Sequence, residues 1–185
     1  MATETLEKAR FNMVQQQIRP WDVFDQRVLD ILETLPRDGF VPETYLDLAY
    51  ADIEIPIGAG QQMMFPRVEA RLMQALDIQP EDSILEIGTG SGYLTACLAK
   101  LGSHVVSLDT RAEFTRQAAE RLAAHGIENV ELETADGLAA PHASGPFDVI
   151  AVTGSLPQLP DMLKQQLTVG GRMFVVCGES PAMEA

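Results

Sequence analysis

A short stretch with three alternately placed glycines constrains the fold more than any other part of the sequence. An apolar run from Ile84 to Ile87 precedes this turn, and a helix-patterned segment from Leu94 to Leu101 follows it. The glycines are Gly88, Gly90 and Gly92. A strand, a glycine turn and a helix in this order are typical of a doubly wound α/β sheet, which binds nucleotides at the carboxyl ends of its strands. The pattern predicts a nucleotide pocket, although a plain strand-to-helix connection has the same appearance.

The spacing of the glycines separates two kinds of nucleotide ligand. In the dinucleotide fingerprint G-x-G-x-x-G/A the sixth residue is small, whereas here that place is Tyr93 and the third glycine comes one residue earlier. An acid, Glu86, also stands two residues before Gly88. The resulting E-x-G-x-G-x-G spacing resembles the first motif of S-adenosylmethionine-dependent methyltransferases, whose ligand has no pyrophosphate. The resemblance implies S-adenosylmethionine as the cofactor and makes a dinucleotide oxidoreductase the weaker interpretation.

Composition argues against several classes of partner. The chain of 185 residues has a formal net charge of −14 and no stretch rich in Lys and Arg. We therefore expect no nucleic-acid partner, because neutralising phosphates requires clustered cations. No apolar run approaches the ~20 residues of a membrane span, and residues 1–10 do not resemble a signal peptide. Cys97 and Cys177 lie in separate apolar patterns without metal-ligand spacing, which predicts buried free thiols, no metal and a cytoplasmic protein.

The distribution of apolar residues predicts one domain with two regions. Residues 1–79 are expected to form helices and loops, with a helix over 27–35, an extended segment around 53–57 and a helix from Pro66 to Asp77. Residues 80–185 alternate strands and helices, which predicts a mostly parallel, doubly wound, Rossmann-like sheet with right-handed crossovers. The first predicted strand ends at Ile87, and the others cover His104–Leu108, Val130–Glu133, Phe147–Val152 and Arg172–Cys177.

The sheet of such methyltransferases usually continues beyond the last of these strands as an antiparallel hairpin. Here the chain stops eight residues after Cys177, so the hairpin is predicted to be missing. Its absence would leave an exposed strand edge, which folded proteins normally cover.

Acids that follow successive strands are the candidates for holding the adenosine part of the cofactor. Asp109 lies 21 positions after Gly88, where an acid accepts hydrogen bonds from ribose hydroxyls. Capping of the helix that starts near Arg111 is the structural alternative. Asp136 precedes Gly137 and would accept from the adenine amino group, or else it forms only an Asp-Gly turn.

Two further polar residues complete the predicted cofactor site. Glu86 is expected at the pocket floor, where it fixes backbone N–H groups or attracts the cationic amine and sulfonium of the ligand. Thr153, at the end of the fourth strand, is expected to border the transferring methyl group. The three histidines are expected to be solvated or structural. The predicted cofactor-binding set is Glu86, Gly88, Thr89, Gly90, Ser91, Gly92, Asp109, Asp136, Gly137 and Thr153.

Further motifs extend the resemblance over nearly the whole chain. In the N-terminal half they are Met13-Val14, Arg27-Val28-Leu29, Pro36-Arg37, Phe40-Val41-Pro42, Ala49-Tyr50 and Pro56-Ile57-Gly58-Ala59-Gly60-Gln61. In the second half they are Glu86 to Tyr93, Asn129-Val130, Asp136-Gly137 and Pro146-Phe147-Asp148. These motifs resemble those of the protein-L-isoaspartate O-methyltransferase family. The resemblance implies a class I methyltransferase fold and S-adenosylmethionine as donor. It also implies protein repair, with isoaspartyl or D-aspartyl carboxylates of damaged proteins as acceptors.

The sequence departs from the family pattern where the methyl acceptor should bind. In the family, Gly-Gln is followed by Thr-Ile-Ser, whose hydroxyl groups help position the acceptor carboxylate. Here Gln62 replaces the threonine and Met64 replaces the serine. A thioether donates no hydrogen bond, and a buried carboxylate without donors loses about 1–3 kcal/mol, roughly tenfold to several hundredfold in rate. The amide of Gln62, or the guanidinium of Arg67, would supply new donors.

Three interpretations remain open at this point. The first is a carboxyl methyltransferase that uses Gln62 or Arg67, and the second is an enzyme for another small or peptide acceptor. The third is a ligand-binding protein without turnover, which acts through a partner at the uncovered sheet edge. The sequence leaves monomer and dimer equally open.

Overall fold

The chain divides into two compact units, Met1–Asp77 and Ile78–Ala185. In the computed structural model, residues 2–179 and 182–184 are described. None of the helices in these residues combines the length and apolar character needed to cross a bilayer. The same residues contain no group of three or more His, Cys, Asp or Glu side chains that could hold a metal ion. Cys97 is a buried free thiol as predicted, whereas the free thiol Cys177 is only half-buried.

The first unit is mainly helical. Helix α1 (Ala2–Met13) continues through a π-helical turn (Val14–Ile18) and a 3₁₀ turn (Arg19–Trp21) before helix α2 (Gln26–Thr34). Two further 3₁₀ turns (Arg37–Phe40 and Glu43–Leu48) precede helix α3 (Pro66–Leu76). The predicted helices over 27–35 and from Pro66 are therefore confirmed.

Local chemistry sets the ends of α2 and α3. The Asp25 side chain accepts a hydrogen bond from the backbone N–H of Arg27 at 2.9 Å, which is an N-cap. Pro66 occupies the first turn of α3, where a missing N–H leaves no intrahelical bond unmade. The two helices pack against each other. Their fully buried apolar residues include Leu29, Leu32, Leu72 and Met73.

A two-stranded hairpin precedes α3. Strand β1 (Ile55–Gly58) pairs antiparallel with strand β2 (Gln61–Met63), and Ile55 lies opposite Met63. Both of these side chains are buried, so the hairpin has one face on the core. The extended segment predicted around 53–57 is confirmed as β1, but β2 was not predicted, because three residues are too few to show an alternating pattern.

The second unit is a six-stranded sheet with the strand order β5-β4-β3-β6-β7-β8. Its strands are β3 (Ser83–Ile87), β4 (His104–Asp109), β5 (Val130–Thr134), β6 (Phe147–Leu156), β7 (Leu167–Glu179) and β8 (Ala182–Glu184). The pairs among β3 to β7 are parallel. Helices α4 (Tyr93–Leu101), α5 (Ala112–Ala124) and α6 (Asp161–Gln165) lie between successive strands. The predicted Rossmann-like sheet is confirmed.

Strand β3 marks the switch point of this sheet. It pairs with β4 on one side and with β6 on the other, so Ile87 lies level with both Leu108 and Val152. The core of the sheet includes Leu85 and Ile150, each fully buried. Ligands of open α/β sheets bind at the carboxyl ends of the strands beside such a switch point. The glycine turn after β3 lies there.

The prediction that the C-terminal antiparallel hairpin is missing was wrong for its first strand. Strand β7 runs two residues past Cys177, and β8 pairs with it antiparallel, with Cys177 opposite Glu184 and Glu179 opposite Ala182. Ala182–Glu184 contains one large apolar residue, so its strand character comes from backbone pairing with β7 rather than from a sequence pattern. The edge of β7 is thus paired over its last residues.

A polar cluster joins the amino ends of three strands in the second unit. One carboxylate oxygen of Asp148 accepts hydrogen bonds from the backbone N–H and the hydroxyl of Ser83 at 2.9 and 2.8 Å. The other accepts from the hydroxyl of Thr168 at 3.0 Å. The donation by Ser83 is the main reason that the pKa of Asp148 lies below its ordinary value, and the charge of Arg172 adds to the effect.

Replacing Asp148 by asparagine should reduce stability at neutral pH by about 0.5–1 kcal/mol, because hydrogen bonds to a carboxylate become bonds to a neutral amide. A lowered pKa in the folded state means that the carboxylate stabilises the fold above its unfolded pKa near 3.8. This contribution disappears as the pH falls through the folded value. Urea unfolding at pH 7, 4 and 3 should therefore show a difference between wild type and D148N that shrinks with acid.

The matched control for D148N is Asp161→Asn, because Asp161 is exposed and its ion pair is with a neighbouring lysine on the same short helix. Exposed ion pairs of this kind contribute little to the free energy of unfolding. A D161N loss as large as that of D148N, or a D148N difference as large at pH 3 as at pH 7, would contradict the assignment.

Candidate functional site

The glycine turn after β3 adopts a backbone that only glycine accepts readily. Gly88, Gly90 and Gly92 have φ values of +105°, +52° and +84°, in the region that residues with a Cβ atom avoid. A Cβ atom on Gly88 would overlap the hydroxyl oxygen of Thr153, and one on Gly92 would lie 2.9 Å from the Cβ of Ala118. Both backbone angle and space therefore require glycine at these two positions.

Hydrogen bonds from the neighbouring strand hold the turn in place. The backbone N–H groups of Gly88 and Thr89 donate to the carbonyl oxygen of Leu108 at 2.8 and 3.3 Å. The hydroxyl of Ser91 accepts from the backbone N–H of Tyr93, the first residue of helix α4, at 3.2 Å. The turn is thus bonded to the end of β4 on one side and to its own helix on the other.

Asp109, the last residue of β4, bonds both to the glycine turn and to the start of helix α5. One carboxylate oxygen accepts from the backbone N–H of Gly90 and the other from that of Arg111, both at 3.0 Å. The bond to Arg111 organises the start of α5, and the bond to Gly90 joins the carboxylate to the glycine turn. Because each oxygen of a carboxylate can accept more than one hydrogen bond, capacity for ribose hydroxyls remains.

Glu86 lies fully buried in β3, and hydroxyl groups surround its carboxylate. Its Oε2 accepts hydrogen bonds from the hydroxyls of Thr95 and Ser107. The Ser107 hydroxyl in turn lies 2.6 Å from that of Thr89 in the glycine turn. A continuous polar chain therefore connects Glu86 with the turn. Thr95 and Ser107 were not predicted as site residues, although each interrupts an apolar pattern.

Thr153 lies within β6, one residue beyond the stretch that pairs with β3, and the Asp136-Gly137 pair follows β5. The Thr153 hydroxyl donates to the carbonyl oxygens of Ile87 and Gly88 at 3.1 and 2.9 Å. Asp136 is exposed and accepts from the backbone N–H of Leu138 at 2.9 Å, so the Asp-Gly turn is present. A Cβ atom on Gly137 would lie 3.0 Å from Ile87. The structure thus brings the loop after β5 onto the end of β3.

The three histidines occupy other surroundings. The His104 ring lies 3.8 Å from the carboxylate of Glu131, and the His142 ring lies 3.1 Å from that of Glu133. Nδ1 of His125 lies 2.7 Å from the carbonyl oxygen of Arg121 on its own helix. These contacts are structural.

The predicted acceptor residues belong to the first unit, around β2 and the start of α3. Gln62 is exposed, and its amide donates to the Glu54 carboxylate at 2.8 Å. The Met64 side chain is half-buried, and its backbone carbonyl accepts from Arg37 at 2.8 Å. Arg67 pairs with a carboxylate of its own unit, that of Asp52.

Two aromatic rings stack against the Arg67 guanidinium. Its central carbon lies 4.4 Å from the ring centre of Trp21 and 4.5 Å from that of Phe65. With its charge paired and its plane in contact with rings, Arg67 is held in one place. Trp21 and Asp52 were not predicted as neighbours of Arg67, because both lie far from it along the chain.

A parallel sheet with a glycine turn after its switch-point strand, and with acids after the next two strands along the chain, is the arrangement of S-adenosylmethionine-dependent methyltransferases. A profile of the family described as protein-L-isoaspartate(D-aspartate) O-methyltransferase (PCMT) matches residues 8–184. This chain belongs to that family.

Individual relatives agree with this assignment. The protein-L-isoaspartate O-methyltransferase of Rhodopseudomonas palustris is 40% identical over 166 residues, which are 90% of this chain and 76% of the relative. The enzyme of the same name from a Synechococcus species is 40% identical over 181 residues, covering 98% of this chain and 74% of the relative.

Solved structures with a similar fold include two with related names. One is a protein-L-isoaspartate O-methyltransferase, with a TM-score of 0.79 and 26% identity, covering 91% of this chain and 55% of that chain. The other is a putative member of the family from Plasmodium falciparum in complex with S-adenosyl-L-homocysteine. Its TM-score is 0.78 at 21% identity, over 96% of this chain and 86% of that one, and it supports the fold.

Proposed function

We propose that this protein methylates isoaspartyl or D-aspartyl carboxylates of damaged proteins, with S-adenosylmethionine as the methyl donor. The observation that carries the proposal is the glycine turn bonded to Asp109, in a chain of this family. The acceptor is then a peptide or protein segment that has undergone aspartyl damage. We place the reaction in the cytoplasm, which suits the two free thiols.

The second unit carries groups that would suit an adenosyl sulfonium ligand. The carboxylate of Asp109 would accept from the ribose hydroxyls, and that of Asp136 from the adenine amino group. The open backbone from Gly88 to Gly92 would hold the methionine tail, and Thr153 would border the methyl group. The buried carboxyl group of Glu86 lies behind the turn, joined to it through Ser107 and Thr89, and when ionised it would attract a cationic ligand.

S-adenosylmethionine, when bound, supplies an electrophilic methyl group, and its transfer to a carboxylate oxygen breaks the carbon–sulfur bond and leaves the electron pair on a neutral sulfur. The acceptor carboxylate is already ionised at neutral pH, so this chain need not provide a strong base. Its task is orientation and the exclusion of water. The amide of Gln62 and the guanidinium of Arg67 are the proposed donors to the carboxylate.

One observation favours a second candidate, a methyltransferase for a different acceptor. Both proposed donors already bind acids of the first unit, Gln62 with Glu54 and Arg67 with Asp52. An incoming carboxylate must compete with these like charges, whereas an uncharged or cationic acceptor would not. The two candidates share the cofactor and differ only in the acceptor.

Transfer of labelled methyl to an isoaspartyl peptide tests the proposed function, with the same peptide containing ordinary aspartate as the control. We expect label on the isoaspartyl peptide alone. Calorimetric titration with S-adenosylhomocysteine on the same preparation tests cofactor binding separately from methyl transfer. Binding without transfer would support the second candidate or a ligand-binding protein, and no binding at millimolar concentration would overturn every methyltransferase interpretation.

Replacing Met64 by serine should raise kcat/KM for the isoaspartyl peptide about tenfold, because a hydroxyl that donates to a carboxylate lowers the barrier by about 1–1.5 kcal/mol. Met64→Ala is the matched control, since it removes the thioether without adding a donor. An equal gain in both variants would show that bulk, not the lost hydrogen bond, limits the reaction. No gain in either would remove residue 64 as the point of divergence.

A further inference from the structure

Arg37 is a fully buried arginine that none of the roles assigned above uses. It begins the 3₁₀ turn Arg37–Phe40 of the first unit and has an exposed fraction of 0%. A buried guanidinium is costly unless it is paired and hydrogen-bonded. Its partners therefore indicate what it does.

The two terminal nitrogens of Arg37 bind different elements. Nη1 pairs with the carboxylate of Glu69, which lies in the first turns of α3 and is itself buried. Nη2 donates to the backbone carbonyl of Met64 at 2.8 Å. The planar guanidinium can do both at once because its donors diverge from a rigid fork.

Met64 is the residue between β2 and α3, since β2 ends at Met63 and α3 begins at Pro66. Through Arg37, its carbonyl is tied to the helix that follows. The contact uses only the backbone of residue 64, so it is the same whether the side chain there is a methionine or a serine. The hairpin end that bears Gln62 is held with it.

The charges of Arg37 and Glu69 also favour their pairing. Burial raises the pKa of the Glu69 carboxyl, and the adjacent guanidinium of Arg37 opposes the rise. The guanidinium makes Glu69 easier to ionise than burial alone would allow, and an ionised carboxylate accepts a stronger hydrogen bond from Nη1. Loss of either partner releases the other and, with it, the tie to Met64.

We propose that Arg37 is a positioning residue for methyl transfer, which holds the acceptor loop 59–65 against α3 through Glu69 and the Met64 carbonyl. This inference rests on the proposed function, because it takes the loop to be where the acceptor binds. Arg37 is buried and acts through the loop backbone, so it need not touch the acceptor.

The Arg37→Lys variant keeps the positive charge but removes the planar guanidinium with its diverging donors. A lysine still compensates Glu69 but is a point charge that cannot also span to the carbonyl. We expect KM for the isoaspartyl peptide to rise about tenfold, in keeping with a lost charged hydrogen bond, with kcat changed less than twofold. The affinity for S-adenosylhomocysteine should be unchanged. Amide hydrogen exchange should accelerate in residues 59–65.

Arg71→Lys is the matched control. Arg71 lies in α3 and, like Arg37, donates to a backbone carbonyl, that of Trp21 at 3.1 Å, but this bond is outside the loop. R71K should leave KM and the exchange of residues 59–65 as in the wild type. A merely structural role for Arg37 would lower the number of sites that bind S-adenosylhomocysteine together with kcat and would leave KM unchanged, which would overturn the proposal.

If R37K does not fold, the double variant Arg37→Gln/Glu69→Gln removes both charges together and leaves an amide pair of similar size. Wild-type KM and loop exchange in that variant would also overturn the proposal. If the wild type does not methylate the peptide, the proposed function fails. The hydrogen-exchange comparison of R37K with R71K then still decides whether Arg37 holds the loop.

Discussion

Replacing Gly88 by alanine is expected to weaken S-adenosylhomocysteine binding about 10- to 100-fold, the effect of 1–3 kcal/mol of strain placed in the ligand-bound turn. The backbone of Gly88 has a φ of +105°, and a Cβ atom there would overlap the hydroxyl of Thr153. That hydroxyl also binds the carbonyls of Ile87 and Gly88. Relief of the clash must therefore move either the turn or the end of β6.

Two further variants separate backbone strain from the clash. Gly126 has a φ of +67°, and no heavy atom of the described residues lies within 4 Å of its added Cβ beyond its chain neighbours. Gly126→Ala should therefore cost roughly 1 kcal/mol of stability without affecting binding. Gly88→Ala combined with Thr153→Ala removes the overlap and should recover part of the affinity. Wild-type titration heats for G88A would contradict the placement of the cofactor.

Replacing Asp109 by alanine is expected to lower the affinity for S-adenosylhomocysteine about 100-fold, in line with about 2–3 kcal/mol for lost bonds to a charged acceptor. The backbone N–H groups of Gly90 and Arg111 would lose their acceptor, and the ribose would lose the carboxylate that we propose for it. The same titration measures the change.

Asp25→Ala provides the control for the structural part of the Asp109 effect. Asp25 likewise accepts a backbone N–H at a helix start, that of Arg27 at 2.9 Å, but it lies in the first unit. The variant should lose about 1 kcal/mol of stability and bind the ligand normally. If Asp109→Ala loses stability by the same amount and keeps its affinity, Asp109 is only a cap, and the ribose must be bound elsewhere.

Much of the second unit could be predicted from the sequence. Short apolar runs predicted β3, β4 and the first part of β6, and the glycine turn has a spacing that restricts the ligand by itself. These features are local, because periodicity and a positive φ depend on a few adjacent residues. The short strands β2 and β8 could not be predicted. Three residues are too few to show an alternating apolar pattern, and their strand conformation depends on pairing with the neighbouring strand.

In the acceptor region, by contrast, the sequence predicted little of the structure. Comparison with the family pattern identified Gln62 and Met64 as the point of departure and Arg67 as a candidate donor. It did not show that Arg67 is already paired with Asp52 and stacked on Trp21. Whether an arginine is available to a substrate depends on such neighbours, and they were 15 and 46 positions away in the sequence.

By itself, the sequence determined the glycine turn, its place after an apolar strand and the preference for an adenosyl sulfonium over a dinucleotide. Only the tertiary structure decided which groups hold that turn and the acceptor loop in place. Arg37 reaches Glu69 across 32 positions, and Ser83 reaches Asp148 across 65. Folding alone brings such polar groups within bonding distance, whereas the turn requires glycine for reasons contained in its own backbone angles.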